Sequence, residues 1–243
     1  VATNNVLSQF VDVDIIKNPQ VPDRDLYVYS TANDQPRGVV SGAGTLLYGL
    51  AVDSQRRVFI AQTDARNDAN GKAGTAGHGL AEMENRAFLN QITRFNCGGL
   101  FCSQKAVFEL EPLPPNNPSP GQALATPYAI EISDNDNTLV ATAAGSDVLF
   151  TAHAGTGEVL GRVVVGEVPR GIALAHNANG RATDAWVYNA VDNSVSLVDL
   201  SDLTSPQLVA TTSLEDPTHP TVKQGRIAFN DANASSTGTF SCE

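Results

Sequence analysis

Short apolar runs recur along the chain at a steady beat. From Thr126 to Asp202 the same order appears twice. Pro127 and Pro169 each open an apolar run, Tyr128–Ile132 and then Gly171–Ala175. A polar turn follows in both copies, then a second run (Thr138–Thr142, Ala185–Asn189), a third (Asp147–Thr151, Ser194–Val198) and a fourth (Val159–Val165, Gln207–Thr211). Runs of this length, bounded by Gly, Pro, Asn and Asp, read as strands. Four short strands in a repeat of about 40 to 45 residues are the signature of a β-propeller blade. A β-sandwich also spaces its strands evenly, but it has no reason to repeat proline, turn and strand order at a fixed period. The expected fold class is therefore all-β, a propeller of four-stranded blades.

The same beat extends outward. Ser8–Ile16 alternates Val11, Val13 and Ile15 with Asp12 and Asp14, and Pro19 and Pro22 end it. Leu26–Ser30 and Arg37–Val40 read as the third and fourth strands of a blade that the chain enters partway. The next blade takes Thr45–Val52, Arg57–Ala61, Phe88–Phe95 and Lys105–Leu110, with Leu47 where the later copies have proline. Between its second and third strands lies a long insertion, residues 63–87. Pro112–Gln122 is a loop, and Thr218–Phe229 is expected to open a further first strand. The expected organisation is a propeller over residues 1–229, incomplete within this chain, and a loop or linker over 230–243. The unfinished last unit favours a piece of a larger propeller over terminal segments that combine to close one.

Composition narrows the function classes. The chain has 243 residues, 15 basic and 26 acidic, for a net charge of −11. Nucleic-acid surfaces need clustered Lys and Arg to replace counterions, and basic membrane faces need the same. Neither partner is expected. No run approaches the roughly 18 apolar residues of a spanning helix. No signal sequence opens the chain, so Val1 reads as the start of a mature or trimmed product. Cys97 and Cys102 flank two glycines between two strands, and they are expected to form a disulfide across that hairpin. A disulfide implies an oxidising compartment, periplasmic or extracellular. Cys242, near the end, is left over.

The insertion carries the candidate chemistry. Asp64, Asn67, Asp68 and Asn70, followed by Gly71, place oxygen donors at the close spacing that Ca2+ uses. The order is not that of an EF-hand, and a solvated turn has the same composition. From Leu80 onward the text reads as helix and holds Met83, with His78 just before it. These two could be soft and imidazole ligands to a metal or haem; alternatively Met83 packs a short helix onto the blade and His78 serves as a cap. Long insertions in compact domains tend to be functional. His153, His176 and His219 are scattered, and no Ser–His–Asp order or phosphate loop stands out. Arg37, Arg170 and Arg226 recur near first or fourth strands, where a blade-to-blade salt bridge is the simplest use.

Val165-Gly-Glu-Val-Pro-Arg-Gly-Ile-Ala173 and Asp192-Asn-Ser-Val-Ser-Leu-Val-Asp199 resemble the blades of the YVTN-type bacterial β-propeller family. The Tyr-Val-Thr-Asn tetrad itself is replaced by Trp186-Val-Tyr-Asn189. The likeness is good over Thr126–Leu214 and weaker before it. Gln224–Cys242 resembles the segment that, in secreted proteins fusing such a propeller to a cytochrome c peroxidase/MauG-like module, leads into a Cys-x-x-Cys-His haem site. On that resemblance Cys242 is the first thioether cysteine, and the sequence stops before the second cysteine and the histidine. The resemblance implies haem c as cofactor and a c-type haem domain or redox protein as partner. The implied role is a non-catalytic scaffold and interaction module supporting electron transfer, in a larger protein with peroxidase-like activity elsewhere. The alternative is a stand-alone extracellular binding or surface-assembly propeller without haem, with other protein subunits as partners. Nothing in the sequence favours an enzyme acting in the propeller channel.

Overall fold

The computed structural model describes residues 24–66, 83–98 and 101–242. The strand expected at Ser8–Ile16 lies outside them. The described strands are β1 (Leu26–Tyr29), β2 (Pro36–Val40), β3 (Leu46–Val52), β4 (Arg57–Ala65), β5 (Phe88–Asn96), β6 (Ser103–Glu109), β7 (Pro127–Ile132), β8 (Thr138–Ala143), β9 (Val148–His153), β10 (Val159–Val164), β11 (Pro169–His176), β12 (Ala182–Asn189), β13 (Ser194–Asp199) and β14 (Gln207–Ser213). They form one two-stranded and three four-stranded antiparallel sheets, each paired in chain order. The three large sheets are the blades predicted from the repeat, and β1–β2 is the hairpin of a preceding one.

Backbone geometry repeats with the sequence. The residue before each blade-opening proline, Thr126 or Val168, has a left-handed φ of 52° or 56°. The turn between first and second strands holds a left-handed residue each time, at Arg56, Asp136 and Gly180. All three first strands carry a register shift just inside their start, after Leu47, Pro127 and Pro169. Leu47 therefore stands in the proline position structurally as well as in the alignment of repeats.

Burial follows from how many faces of a sheet are covered. Blade β7–β10 has neighbours on both sides, and every residue of β8 is buried. Leu139, Ala141, Phe150 and Ala152 pack toward β3–β6 with Phe59, Ile92 and Phe108. Val140 and Leu149 point the other way, onto Ala185, Val187 and Val198. Two buried faces explain why β8 reads as a continuous run of small and β-branched residues. Among the described residues blade β11–β14 is covered on one face only, and β12 alternates: Ala185, Val187 and Asn189 are buried, Trp186 and Tyr188 exposed. A third cluster joins Val40 and Leu26 of the hairpin to Val58, Ile60 and Phe95, with the Cys97–Cys102 disulfide packed against it. The predicted disulfide is thus present, joining the end of β5 to the start of β6.

Two expectations fail. Thr218–Phe229 does not open a strand: Pro220–Asn230 is a helix, α1. Pro220 stands in its first turn, where a missing N–H costs nothing, and the His219 ring accepts the Thr221 N–H at 3.3 Å. The spacing of Ile227 and Phe229 imitates a strand, yet only Ile227 packs inward, against Ala144, Val168 and Val191, while Phe229 is exposed. The helix expected from Leu80 onward is a turn where it is described, because Glu84 and Asn85 take left-handed φ of 51° and 58°.

β3 and β7 approach so closely that a Cβ on Gly49 would lie 2.3 Å from the Tyr128 carbonyl oxygen. Backbone cannot yield there as a flexible side chain would. Gly49→Val is expected to destabilise the fold by at least the roughly 1–3 kcal/mol typical of overpacking, seen as a lower urea midpoint. An unchanged midpoint would contradict this packing.

Candidate functional site

The connections between second and third strands share one face. They run through 144–147 and 190–193 in two blades and leave at Arg66 and return at 83–87 in the blade before them, and the links between blades start new first strands on the same side. The C-terminal segment lies across this face. Ile227 of α1 sits on Ala144, Val168 and Val191. Beyond the helix, Ala232 N–H donates to the Gly145 carbonyl at 2.9 Å, and Ala232 and Thr239 are fully buried.

A buried polar network fastens these pieces together. Arg86, 1% exposed, meets Glu111 at 2.9 Å and donates to the carbonyls of Pro112 and Asn116, both at 3.1 Å. The other Glu111 oxygen accepts the Leu124 N–H at 2.8 Å. Asn90 donates to Glu111 at 3.2 Å and to the Thr239 carbonyl at 2.9 Å, and accepts the Thr126 N–H at 3.1 Å. Arg66 closes the base of the insertion through the carbonyls of Met83 and Arg86 and the Glu84 carboxylate. Thr237 Oγ1 reaches the Asn85 carbonyl at 3.1 Å. Insertion, blade, Pro-rich loop and tail thus share one set of bonds. Burial pulls the Glu111 carboxyl up and the Arg86 guanidinium down, and the contact between the two opposes both shifts.

One blade further on, carboxylates gather under α1. Asp147 accepts the Val168 N–H at 2.8 Å, the role that Asn90 plays for Thr126. Asp192 accepts the Glu167 N–H at 2.8 Å. Lys223 of α1 lies 3.2 Å from Asp216 and 3.7 Å from Asp192, and donates to the Asp192 carbonyl at 3.1 Å. Burial, and next the charge of Asp147, push the Glu167 carboxyl up to about 7. Asp147 is also raised, chiefly by burial.

The residues singled out in the sequence are spread across the molecule. Asn67, Asp68, Asn70 and His78 lie outside the described residues. Asp64 lies next to the end of β4 and accepts the Thr45 hydroxyl at 2.9 Å. Met83 is buried at the foot of the insertion. Cys242 has an exposed, free thiol, and its N–H donates to the Phe229 carbonyl at 3.1 Å. Thioether attachment of haem needs two cysteine sulfurs and an axial histidine; the described residues offer one such cysteine, which does not make a haem site. Among the described residues no group of three or more His, Cys, Asp or Glu is placed to hold a metal. His153 accepts the N–H groups of Gly155 and Thr156, His219 caps α1, and His176 lies 3.5 Å from Asp134. Arg170 lies over the Tyr128 ring, which in turn meets Tyr48 at 5.0 Å, one residue from each of the first strands β11, β7 and β3.

The arc of sheets resembles solved structures at the level of fold. It is similar to Kuenenia stuttgartiensis hydrazine synthase, with a TM-score of 0.52 and 13% identity over 71% of this chain and 51% of that one. It is also similar to a chain of the nidogen/laminin complex, with a TM-score of 0.50 and 13% identity over 79% and 56%. The fold is a β-propeller. The chain spans about half the length of the solved structures it matches. No known family and no curated protein matches its sequence. At 13% identity these propellers share architecture and nothing finer.

Breaking a buried ion pair costs about 3–5 kcal/mol because the remaining charge is left unpaired. Arg86→Leu should lower stability by that order and loosen the tail, while Arg86→Leu combined with Glu111→Leu should recover much of the loss; urea unfolding of the three proteins checks this. Glu167 gives a pH signature. Its folded value, about 7, lies above its ordinary value near 4.5. The folded state therefore binds the extra proton between these values, and the stability it gains is full below about 4.5 and lost as pH rises through about 7. Glu167→Gln should flatten the decline of the urea midpoint over that window, and an unchanged slope would refute the assignment.

Proposed function

We propose that this chain is a non-catalytic β-propeller module of an exported protein, holding a c-type haem domain or another redox partner beside its loop face and so supporting electron transfer. The observation that carries this reading is the exposed Cys242 thiol at the end of a tail bound down across that face. The resemblance of Gln224–Cys242 to the approach of a Cys-x-x-Cys-His site supports the same reading. The Cys97–Cys102 disulfide supports an oxidising compartment. Among the described residues no helix is long and apolar enough to cross a membrane. On this reading the haem belongs to the partner domain, and the propeller contributes position: tail and insertion base are fastened to one rigid set of blades, so a domain attached there is held at a fixed orientation.

A second reading, a binding or surface-assembly propeller without haem, is favoured by the free face of β11–β14. Trp186, Tyr188, Val195 and Leu197 share that face. The matching positions of the preceding blade, Val140, Thr142, Leu149 and Thr151, are wholly buried by the next sheet. A face of this kind is built to be covered. The nidogen neighbour comes from a complex with laminin, an association between proteins.

The two readings part on covalent haem. The mature protein that contains this chain, expressed together with a c-type cytochrome maturation system, should show a Soret band that stays with the polypeptide after denaturation. Cys242→Ala should reduce that attachment. A protein that acquires no covalent haem would overturn the redox reading and leave the binding propeller.

A further inference from the structure

Four carboxyls meet beneath α1, each brought by a different piece of chain. Asp147 comes from the turn after β8, Glu167 from the link into β11, Asp192 from the turn after β12 and Asp231 from the end of α1. The charges that face Glu167 are those of Asp147 first, then Asp192 and Asp231. The Lys223 ammonium stands at the edge of the group, 3.7 Å from Asp192, and is shared with Asp216 at 3.2 Å. Main-chain bonds fix the carboxyls in place: Asp147 takes the Val168 N–H and Asp192 takes the Glu167 N–H, both at 2.8 Å. The side chains of Asp147 and Glu167 are hydrogen-bonded to each other. An ionised carboxylate only accepts, so two carboxyls share a hydrogen bond only when one of them holds a proton. The junction is built around that proton.

The element above this junction is weakly held. α1 has 11 residues and none of them is buried, and helices shorter than roughly 12–15 residues need tertiary contacts to persist. Its contacts lie around the carboxyls. Ile227 packs on Ala144, Val168 and Val191, Lys223 donates to the Asp192 carbonyl, and Ala232, just past the helix, donates to the Gly145 carbonyl. Further on, the tail is fastened independently, with Asn90 on the Thr239 carbonyl and Thr237 on the Asn85 carbonyl. We propose that the Asp147–Glu167 pair is a proton-operated latch on α1: the shared proton keeps α1 docked, and its loss lifts α1 and Ala232 from the loop face while Thr237 and Thr239 stay in place. Without the proton Asp147 and Glu167 repel each other, and Asp231 adds a like charge on the element that can leave. Lifting α1 carries Asp231 away from the pair and lets water reach Glu167. Burial, and next the charge of Asp147, raise the Glu167 carboxyl from an ordinary 4.5 to about 7. The hold on α1 is therefore full below about 4.5 and is lost as pH rises through about 7. Ala144, Val168 and Val191, buried while α1 is docked, then face solvent, so a partner at the loop face meets a helix in acid and an apolar patch above neutrality. The proposal rests on the fold and the contacts of α1 and is independent of haem.

Hydrogen exchange read by mass spectrometry on the mature protein that contains this chain tests this, each rate being compared with the intrinsic rate at the same pH to give a protection factor. The peptide covering α1 and Ala232 should be less protected than β8 at every pH, as a local opening requires. Its protection should fall by about three- to tenfold per pH unit between about pH 5 and 7, tenfold being the limit that one released proton sets. Glu167→Gln keeps a hydrogen-bond donor toward Asp147 at every pH and should abolish that fall. Asp231→Asn keeps the acceptor for the Asn233 N–H and should leave α1 better protected than in the unaltered protein above pH 7. Protection of α1 that does not change with pH, or that falls as steeply in Glu167→Gln, would overturn the proposal. So would protection equal to that of β8, since α1 would then open only with the whole fold, and so would an Asp231→Asn protein no better protected than its parent. None of these outcomes depends on haem.

Discussion

A sheet of small and β-branched residues has two apolar faces and buries neither without a neighbour packed against it. That constraint governs this molecule. β8 can be buried at every position because β3–β6 and β11–β14 flank it. β12 alternates, with a sheet on one side only among the described residues. The same rule accounts for the tightness of the interfaces. Gly49 is required where β3 meets the backbone of β7, and rows of alanine in β8 let the sheets come close. At roughly 25 cal/mol per Å2 of apolar area removed from water, blade-to-blade contact is the main source of stability, and the β-hairpins alone would not persist.

Polar groups then decide what the stacked sheets carry. The Arg86–Glu111 pair is buried, so its attraction has to offset the desolvation of two charges. What the pair contributes is connection. Glu111 and Asn90 together hold the loop before Pro127, the foot of the insertion and the carbonyl of Thr239. In the next blade Asp147 repeats the task of Asn90, and the carboxylates around it make the junction under α1 sensitive to pH. The loop face is thereby a rigid platform on which the tail is one more strapped segment. That is the property an interaction module requires when it has to hold another domain in a fixed place.

Much of this fold was legible in the sequence, and for a physical reason. Pro127 and Pro169, the turn residues and the apolar runs recur because each blade solves the same burial problem, so period alone identifies the sheets. The disulfide was legible from two cysteines flanking glycines in a hairpin. The helix at Pro220–Asn230 was not: Ile227 and Phe229 carry a strand-like spacing, and the capping by His219 leaves only a weak mark in the sequence. The network of Arg86, Asn90, Glu111 and Thr239 was also hidden. Its members are far apart in the chain, and polar residues chosen for tertiary contacts follow no local period. The one local trace is Glu111 standing between Leu110 and Pro112, with no further charge before Glu131.

On the proposed function, the loop face with its strapped tail is where this propeller meets its partner. Chemical cross-linking of the mature protein that contains this chain, read by mass spectrometry, tests it most directly. Lys223 stands on α1 over that face, and Lys105 stands on the strand β6. Cross-links from Lys223 to the haem domain or redox partner are expected. Cross-links to the partner from Lys105 alone, with Lys223 reactive but unlinked, would contradict it.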